Sequence, residues 1–345
     1  MDLNELLRRM PKAELHIHIE GSLEPELAFE LAARNGLPPP AASVEALRAA
    51  YAFTDLQSFL DIYYAGAAVL LTEEDFFDLA MAYFRRAAAD GVRHTEVFFD
   101  PQTHTARGVP IRSVVAGLAR ACAAAQAELD LSALLILCFL RHLSEDEAFQ
   151  TLNDALPLFE EFKEVLVGVG LDSSERGHPP EKFARVFARC GELGLHRVAH
   201  AGEEGPPAYI ETALDGLHAE RIDHGVRCLE DPALVQRLAR ERVPLTVCPL
   251  SNLKLCVVTT LAAHPLAELL AAGLVATINC DDPAYFGGYI AQNFIDTFAA
   301  LPSLGAPQAY RLARNSFEAS FAPEADKKRW IDELDAAFAE AGLAV

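Results

Sequence analysis

Short apolar or β-branched runs recur along the chain, and eight of them have the length of buried strands. Strands that are covered on both faces are nearly continuous in hydrophobic residues rather than alternating, which matches most of these runs. The predicted strands cover residues 14–19, 94–99, 133–140, 165–171, 197–200, 221–224, 245–249 and 275–279.

Between most of these runs, Ala, Leu, Glu and Arg recur at helical spacing. Strands that alternate with helices pair in parallel, so eight such units favour an α/β fold of the (β/α)8 TIM-barrel type. A doubly wound open sheet is the alternative. Helices are predicted at 74–90, 111–128, 145–162 and 180–193, with extra helices after the first strand (24–35 and 55–71) and at the C-terminus.

The chain shows no feature that divides it into separate units. It contains no internal repeat, low-complexity tract or block of charge, and the stretch 36–43, rich in Pro and Ala, is too short for a domain linker. A length of 345 residues suits one large barrel. We therefore expect a single (β/α)8-barrel domain over residues 1–345.

Polar residues cluster where the predicted strands end, which is where barrel enzymes carry their catalytic groups. His16 and His18 close the first strand, and their spacing of two places both rings on one face of it. The other clusters follow later strands and comprise Asp172 to Glu175, His200 to Glu203, Asp223 to Gly225, Cys248 to Asn252 and Asp281 to Pro283.

These residue types suit a catalytic metal ion. Barrel closure brings the first and eighth strands together, so His16, His18 and Asp281 can share one ion. With His200 as the third imidazole, these four side chains are expected to bind one Zn²⁺ per chain and leave room for water. Fe²⁺ or Mn²⁺ also fits these ligands. The fourth predicted strand has no lysine that a second metal would need, which favours a single ion.

Neighbouring side chains have the chemistry to assist such a metal. We expect Glu203 to donate a proton to the substrate, His224 to orient the attacking water, and Asp282 to bind a ring nitrogen. Each residue alone has an ordinary structural explanation, such as a buried core histidine or a turn carboxylate. Their joint occurrence at successive strand ends favours a metal site.

Composition narrows the class of ligand. The formal net charge of -21 argues against nucleic acid or an anionic membrane as the main partner, and a small neutral molecule suits the chain better. The seven cysteines form no CxxC pair, and the acidic N-terminus lacks the basic region of a signal peptide. A cytoplasmic protein with reduced thiols is expected, and no feature indicates its oligomeric state.

Four motifs together resemble the adenosine and adenine deaminases of the metal-dependent amidohydrolase superfamily. They are the run Pro11 to His18, the HAGE sequence at His200 to Glu203, the DHG sequence at Asp223 to Gly225, and Asp281-Asp282-Pro283. The matches extend from the first strand to the last. The resemblance implies zinc on the four ligands named above, proton donation by Glu203 to purine N1, an assisting His224, and contact of Asp282 with purine N7.

Departures from the adenosine-cleaving pattern point to the free base. Glu20 stands where adenosine deaminases usually carry Asp, and its extra methylene is expected to fill space that a ribose needs. Gly170 is a further candidate for substrate binding. In the loop Asp172 to Glu175 after the fourth strand, a carboxylate is a candidate for the N9/N3 edge, and no individual role is predicted for Glu175 or Ser251.

The resemblance therefore predicts hydrolytic deamination of adenine to hypoxanthine and ammonia, a reaction of purine salvage, by attack of metal-activated water on C6 while Glu203 protonates N1. The runs 247–256 and 281–289 look particularly like adenine deaminase. AMP is disfavoured because no basic phosphate pocket is evident, and side activity on N6-substituted adenines is open. The alternatives are an adenosine deaminase and a non-catalytic purine-binding relative.

Overall fold

The computed structural model describes residues 2–343, so Met1, Ala344 and Val345 lie outside the described residues. Its eight strands follow one another in the order of the sequence. They are β1 (Lys12–His18), β2 (Val92–Phe99), β3 (Ser132–Leu140), β4 (Leu166–Asp172), β5 (His196–Ala201), β6 (Arg221–His224), β7 (Pro244–Val247) and β8 (Val275–Ile278).

The helices surround this sheet. The α-helices are α1 (Leu3–Arg9), α2 (Pro25–Arg34), α3 (Val44–Ala49), α4 (Leu56–Gly66), α5 (Glu73–Ala89), α6 (Pro101–Thr105), α7 (Ile111–Leu129), α8 (Glu145–Glu161), α9 (Ala184–Glu192), α10 (Pro207–Asp215), α11 (Pro232–Glu241), α12 (Pro249–Lys254), α13 (Leu266–Ala271), α14 (Pro283–Phe286), α15 (Ile290–Ala300), α16 (Ala306–Glu318) and α17 (Glu324–Ala341). Short 3-10 helices cover Glu20–Ser22, Ala67–Val69, Pro180–Phe183, Val226–Glu230 and Leu261–Ala263.

The strands form a closed barrel. Each strand pairs in parallel with the next, and a bridge between Ile17 and Asp281 joins the last strand region to the first. Across this seam the His18 amide donates to the Asp281 carbonyl at 3.0 Å, and the Asp281 amide donates to the His16 carbonyl at 3.1 Å. The predicted (β/α)8 TIM barrel is confirmed, and the open doubly wound sheet is wrong because β1 and the end of β8 meet.

Local sequence explains where several elements begin and end. Helices begin at Pro101 after β2, at Pro249 after β7 and at Pro283 after the segment that follows β8. Proline suits the first position of a helix, so each extended segment ends there. For this reason β7 stops at Val247 and does not run to residue 249 as predicted. The helix predicted over 55–71 is divided, since a 3-10 turn begins at Ala67.

One hydrophobic core cluster reaches from Leu6 in α1 to Phe338 in α17. This continuity supports the proposal that the chain folds as a single domain. Among residues 2–343, no helix is both long enough and apolar enough to cross a membrane.

A buried ion pair at the barrel interior is a main electrostatic contact of the fold. Arg221 Nη1 donates to Glu96 Oε2 at 2.6 Å, and both side chains are at most 1% exposed. The Glu96 carboxylate also accepts the Phe321 amide. Burial opposes ionisation of Glu96, but Arg221, His94 and the Phe321 amide together outweigh it and lower the pKa of Glu96 from its usual 4.5 to about 2. The folded state therefore favours the ionised carboxylate.

Replacing Glu96 by Gln is expected to lower the free energy of unfolding by about 3 to 5 kcal/mol at pH 7, because the buried Arg221 charge loses its partner. A folded pKa below the unfolded value stabilises the fold above pH 4.5, and this contribution is lost as the pH falls toward about 2. Urea unfolding across this range should show the difference between variant and parent shrinking with acidification. The exposed Glu128→Gln control should match the parent, and an equal loss at every pH would contradict the role given to the charge.

Candidate active site

Five buried side chains from β1, β5, β6 and the segment after β8 converge at the carboxyl end of the barrel. His18 Nε2 lies 3.1 Å from His200 Nε2 and 3.5 Å from Asp281 Oδ1, and His16 Nε2 lies 3.2 Å from Asp281 Oδ1. His224 Nε2 lies 3.7 Å from Asp281 Oδ2. The four side chains predicted as ligands are thus brought together, with relative exposures of 0 to 7%.

Hydrogen bonds on the far sides of the rings fix the histidine tautomers. Thr246 Oγ1 donates to Asp223 at 2.8 Å, so it accepts from His16 Nδ1 at 2.9 Å. The Leu171 carbonyl likewise accepts from His200 Nδ1 at 3.1 Å. With its proton on Nδ1, the neutral form of either ring carries a lone pair on Nε2. Such partners are what orient metal-bound histidines.

The convergent atoms fit a cation. His18 Nδ1 faces Asp172 Oδ2 at 3.5 Å, so the His18 Nε2 lone pair also points into the cluster. Buried His16 Nε2 has no hydrogen-bond partner. Burial, followed by the neighbouring His16, holds the pKa of His200 well below its usual range, which keeps that ring neutral. Several lone pairs and one carboxylate facing each other in a buried space form a suitable metal site.

His224 is a second candidate for the same cluster by distance alone. One ligand atom each from His16, His200, His224 and Asp281 lies within 4.8 Å of the others. A chain of hydrogen bonds sets the tautomer of His224, and this tautomer distinguishes it from the proposed ligands. The Leu266 amide donates to His264 Nδ1, His264 Nε2 donates to Asn252 Oδ1 at 3.1 Å, and Asn252 Nδ2 therefore faces His224 Nδ1 at 3.5 Å.

This polarity places the proton of His224 on Nε2, which faces the Glu203 and Asp281 carboxyls at 3.5 and 3.7 Å. Burial, followed by the nearby His16, lowers the pKa of His224 to about 3, so the ring is neutral at physiological pH. A neutral imidazole with its donor nitrogen toward the cluster is suited to hydrogen bonding rather than to binding a metal.

Strained backbone marks the same site. His224 and Asp281 have φ values of +66°, and Ser173 at the end of β4 has +75°. Non-glycine residues rarely adopt this region, and the cost of about 1 to 3 kcal/mol each is tolerated mainly where function requires the geometry. Tertiary contacts thus hold these side chains in place against local preference.

Glu203 lies beside the cluster on the loop that follows β5. Its side chain is buried, and its Oε1 atom has no hydrogen-bond partner. Burial, followed by repulsion from Asp281, raises the pKa of Glu203 well above its usual range. A raised pKa favours the protonated carboxyl, which is the form that a general acid requires.

Glu175 holds this loop in place. Its carboxylate accepts the backbone amides of Gly202, Glu203, Glu204 and Gly205 at distances of 2.7 to 3.1 Å. These four donors occupy the oxygens of Glu175, so Asp172 is the carboxyl of the predicted 172–175 loop that lines the cavity.

Asp282 is buried with Oδ1 unpartnered, and burial, followed by Asp281, raises its pKa well above the usual range. Both Asp282 and Glu203 face a narrow cavity above the cluster. Helix α4 and Leu255 supply its apolar wall. The lining residues are His18, Leu56, Phe59, Leu60, Tyr63, Tyr64, Asp100, Asp172, Ser173, His200, Glu203, His224, Leu255, Asp281 and Asp282.

Two predicted substrate-binding residues lie away from this cavity. Glu20 accepts from His104 Nε2 at 2.8 Å and from the Asp100 amide at 3.2 Å, so its carboxylate is held by these neighbours. Gly170 lies within β4, where an added Cβ would be 2.7 Å from Cys138 Sγ. Neither residue is among those that line the cavity, and their roles in substrate binding stay predictions.

Asp100 and the tyrosines of α4 line the cavity but were not predicted. One signal for Asp100 was present in the sequence, since Asp100-Pro101 repeats the Asp282-Pro283 pattern after a strand. The backbone angles agree, with φ and ψ of -108° and 82° at Asp100 and -120° and 76° at Asp282. Proline disfavours the helical conformation in the residue before it. The tyrosines carry no comparable signal, because an aromatic residue on a helix is usually core.

Comparison with known proteins places the chain among deaminases. The family described as adenosine deaminase matches residues 11–337. An adenine deaminase of Geotalea uraniireducens is 67% identical over 98% of this chain and 94% of its own length. The adenine deaminase of Cupriavidus necator is also 67% identical, over 96% of this chain and 93% of its own.

Two solved structures share the fold over nearly their full length. The crystal structure of adenine deaminase from Arthrobacter aurescens has a TM-score of 0.91 and 53% identity, covering 95% of this chain and 98% of that one. An amidohydrolase from Burkholderia ambifaria, solved with bound Zn, has a TM-score of 0.88 and 25% identity, covering 98% of this chain and 94% of that one.

Proposed function

The chain belongs to the adenosine deaminase family, and from this premise we propose that it is an adenine deaminase, a hydrolase that converts adenine and water to hypoxanthine and ammonia. The observation that carries the proposal is the buried convergence of His16, His18, His200 and Asp281 beside the buried carboxyl of Glu203. Relatives described as adenine deaminases, 63 to 67% identical over almost the whole chain, support the choice of substrate.

The metal in this proposal is one Zn²⁺ per chain, held by His16, His18, His200 and Asp281. The bound Zn of the Burkholderia ambifaria protein supports this identity, although Fe²⁺ or Mn²⁺ also suits imidazole and carboxylate ligands. When bound, such an ion lowers the pKa of a water molecule toward neutrality and so supplies the nucleophile for hydrolysis.

Glu203 is the proposed general acid. Attack at C6 of the purine builds negative charge on N1, and protonation of N1 relieves it. The raised pKa of Glu203 keeps its proton available at neutral pH. The hydrogen bonds from the loop amides to Glu175 hold the donor at a fixed position, so little reorganisation is required at the moment of transfer.

His224 is the proposed partner of the attacking water. Its Nε2 proton points toward Asp281 and Glu203, and the bonds through Asn252 and His264 fix that orientation. A neutral donor here stabilises negative charge that develops on the attacking oxygen.

Asp282 is the proposed contact for N7. That nitrogen carries a lone pair in neutral adenine, so its partner must donate a hydrogen bond. The raised pKa of Asp282 keeps the carboxyl protonated and able to donate. Glu203 and Asp282 would then bind N1 and N7, which lie on either side of C6, and position C6 over the metal cluster.

A place in purine salvage and a cytoplasmic location belong to the same proposal. All seven cysteines are free thiols, and six of them are buried, which suits a reducing compartment. An adenosine deaminase uses the same chemistry and is the main alternative. A non-catalytic purine-binding relative is disfavoured because every proposed ligand and proton donor is present.

A substrate panel tests the proposal directly. With ammonia release as the readout, kcat/KM for adenine is expected to exceed that for adenosine by at least about 10²-fold, since a narrow cavity rejects a bulky N9 substituent. AMP is expected to be inert, and N6-methyladenine serves as a further comparison through its release of methylamine. Preference for adenosine would replace this function with that of a nucleoside deaminase.

Gly21 is expected to be essential for the position of Asp282. A Cβ at Gly21 would lie 1.9 Å from Asp282 Oδ1, so Gly21→Ala must displace that carboxyl. A displacement near 1 Å can cost about 10²-fold in rate, and we expect a loss of this size in kcat/KM for adenine. In Gly305→Ala, where the nearest atoms would be at 3.7 Å, activity should stay near the parental value. Unchanged kinetics in Gly21→Ala would contradict the role given to Asp282.

A further inference from the structure

Two buried carboxyls in the cavity have no part in the proposed mechanism. Asp100 follows β2 and Asp172 ends β4, and each side chain is 2% exposed while lining the cavity. In both residues the Oδ1 atom is buried without a hydrogen-bond partner. An unpaired buried carboxyl oxygen costs free energy unless a ligand supplies a donor. A ligand in the cavity can therefore donate a hydrogen bond on this side.

The remaining oxygen of each carboxyl is already engaged, which fixes the direction of the free one. Tyr63 Oη donates to Asp100 Oδ2 at 3.3 Å, and Asp172 Oδ2 faces His18 Nδ1 at 3.5 Å. Glu20 supports Asp100 from behind by accepting its backbone amide at 3.2 Å. Glu20 thus acts on the cavity through Asp100 and not by filling it.

The carboxyl pair and the groups assigned to N1 and N7 belong to different strands. Glu203 follows β5 and Asp282 follows β8, whereas Asp100 follows β2 and Asp172 ends β4. His18 lies between Asp172 and the metal cluster, because its Nδ1 faces Asp172 and its Nε2 faces Asp281. With Asp281 assigned to the metal and N1 and N7 assigned to Glu203 and Asp282, the acidic lining residues that remain for the N3/N9 edge are Asp100 and Asp172.

We propose that Asp100, supported by Asp172, reads the N9–H of the free purine and is the main determinant of specificity for the base over the nucleoside. This inference rests on the proposed function, which sets the orientation of the ring. Free adenine has an N9–H group that donates a hydrogen bond to Asp100 Oδ1. A nucleoside has a glycosidic bond there and no hydrogen, so it leaves the carboxyl unpaired and adds bulk beside it. A site built to receive a donor rejects an analogue that lacks it.

The experiment varies both partners of the proposed hydrogen bond, the Asp100 carboxyl and the N9–H of the ligand. Binding of purine and 9-methylpurine is measured by calorimetry on the parent, on Asp100→Asn and on the exposed control Asp154→Asn, all loaded with metal. In Asp100→Asn, the Tyr63 hydroxyl retains the amide oxygen and turns the NH2 group toward N9–H. The parent and control are expected to prefer purine by about 10²-fold, and Asp100→Asn should lose most of that preference.

Catalysis gives a second readout on the same proteins. Asp100→Asn is expected to lower kcat/KM for adenine by about 10²-fold while changing that for 9-methyladenine by less than about threefold. Equal losses for both substrates, or an undiminished preference for purine in the variant, would overturn the inference. So would a parent that binds 9-methylpurine as tightly as purine, a result that requires no variant to fold.

The two proposals fail in different ways. If the parent releases no ammonia from adenine but prefers purine to 9-methylpurine through Asp100, the proposed function fails and the reading of N9–H stands. If the parent deaminates adenine but Asp100→Asn leaves the purine preference intact, the inference alone fails. Metal content measured on each protein shows whether a variant has lost recognition of N9–H alone or has also weakened metal binding through His18.

Discussion

Glu203→Gln is expected to lower kcat for adenine deamination by about 10²- to 10⁴-fold, the usual contribution of a general acid. The amide keeps the size and hydrogen-bonding shape of the side chain but has no acidic proton for N1. Steady-state ammonia release measures the loss, with metal content as a check that the ion is retained. Adenine binding should change much less than turnover.

The adjacent residue provides a matched control for this variant. Glu204 pairs with Arg176 at 3.3 Å and does not line the cavity, so Glu204→Gln should keep near-parental kinetics. Near-parental turnover in Glu203→Gln would refute its assignment as the acid.

The raised pKa of Glu203 also has consequences for pH dependence and stability. The acid loses its proton as the pH rises through the raised pKa, so parental kcat/KM should decline on the alkaline side and this limb should vanish in Glu203→Gln. A carboxyl whose folded pKa exceeds its unfolded value stabilises the fold only at low pH and costs stability once the unfolded state ionises. Glu203→Gln should therefore unfold at the parental temperature or above it.

Removal of the metal is expected to abolish activity. Dialysis against a chelator should leave a protein with no measurable ammonia release, and readdition of about one equivalent of Zn²⁺ per chain should restore it. The physical reason is that the Nε2 atoms of His16, His18 and His200 and the Asp281 carboxylate converge in one buried cluster, where a single ion can bind all four side chains. Elemental analysis of the purified protein gives the stoichiometry, and full activity in metal-free protein would refute the site.

Histidine variants test which rings hold the ion. His16→Asn and His18→Asn are expected to lose it, whereas His224→Asn should retain it and still lose activity, because the Nε2 of His224 carries a proton. The exposed His218 adopts a φ of +53°, which Asn tolerates well, so His218→Asn should keep both metal and activity. Metal loss in His224→Asn together with retention in His18→Asn would exchange the two assignments.

Much of the site was visible in the sequence because a parallel barrel places its chemistry where strands end. The alternation of strand and helix predicted the barrel, and His16, His18, His200, Glu203, His224, Asp281 and Asp282 all lie at the carboxyl ends of strands that the hydrophobic runs marked. These inferences depend on period and order along the chain, which are local properties. The choice of adenine came from a resemblance, and the relatives support it.

Tertiary packing decided what each carboxyl does. Glu20 and Glu175 appeared free to meet a substrate, but His104 and the amides of the 202–205 loop occupy their oxygens. Asp100 appeared unremarkable, yet it lines the cavity with an oxygen that has no partner.

By itself, the sequence determined the barrel and the set of residues at its catalytic end. Only the tertiary structure decided which side chains face the cavity, which are satisfied by backbone donors, and that the proton of His224 points toward the cluster. The reason is that strand periodicity acts over neighbouring residues, whereas the partner of a buried polar atom is supplied by segments far apart in the chain, such as Glu20 and His104 or His224 and Asn252.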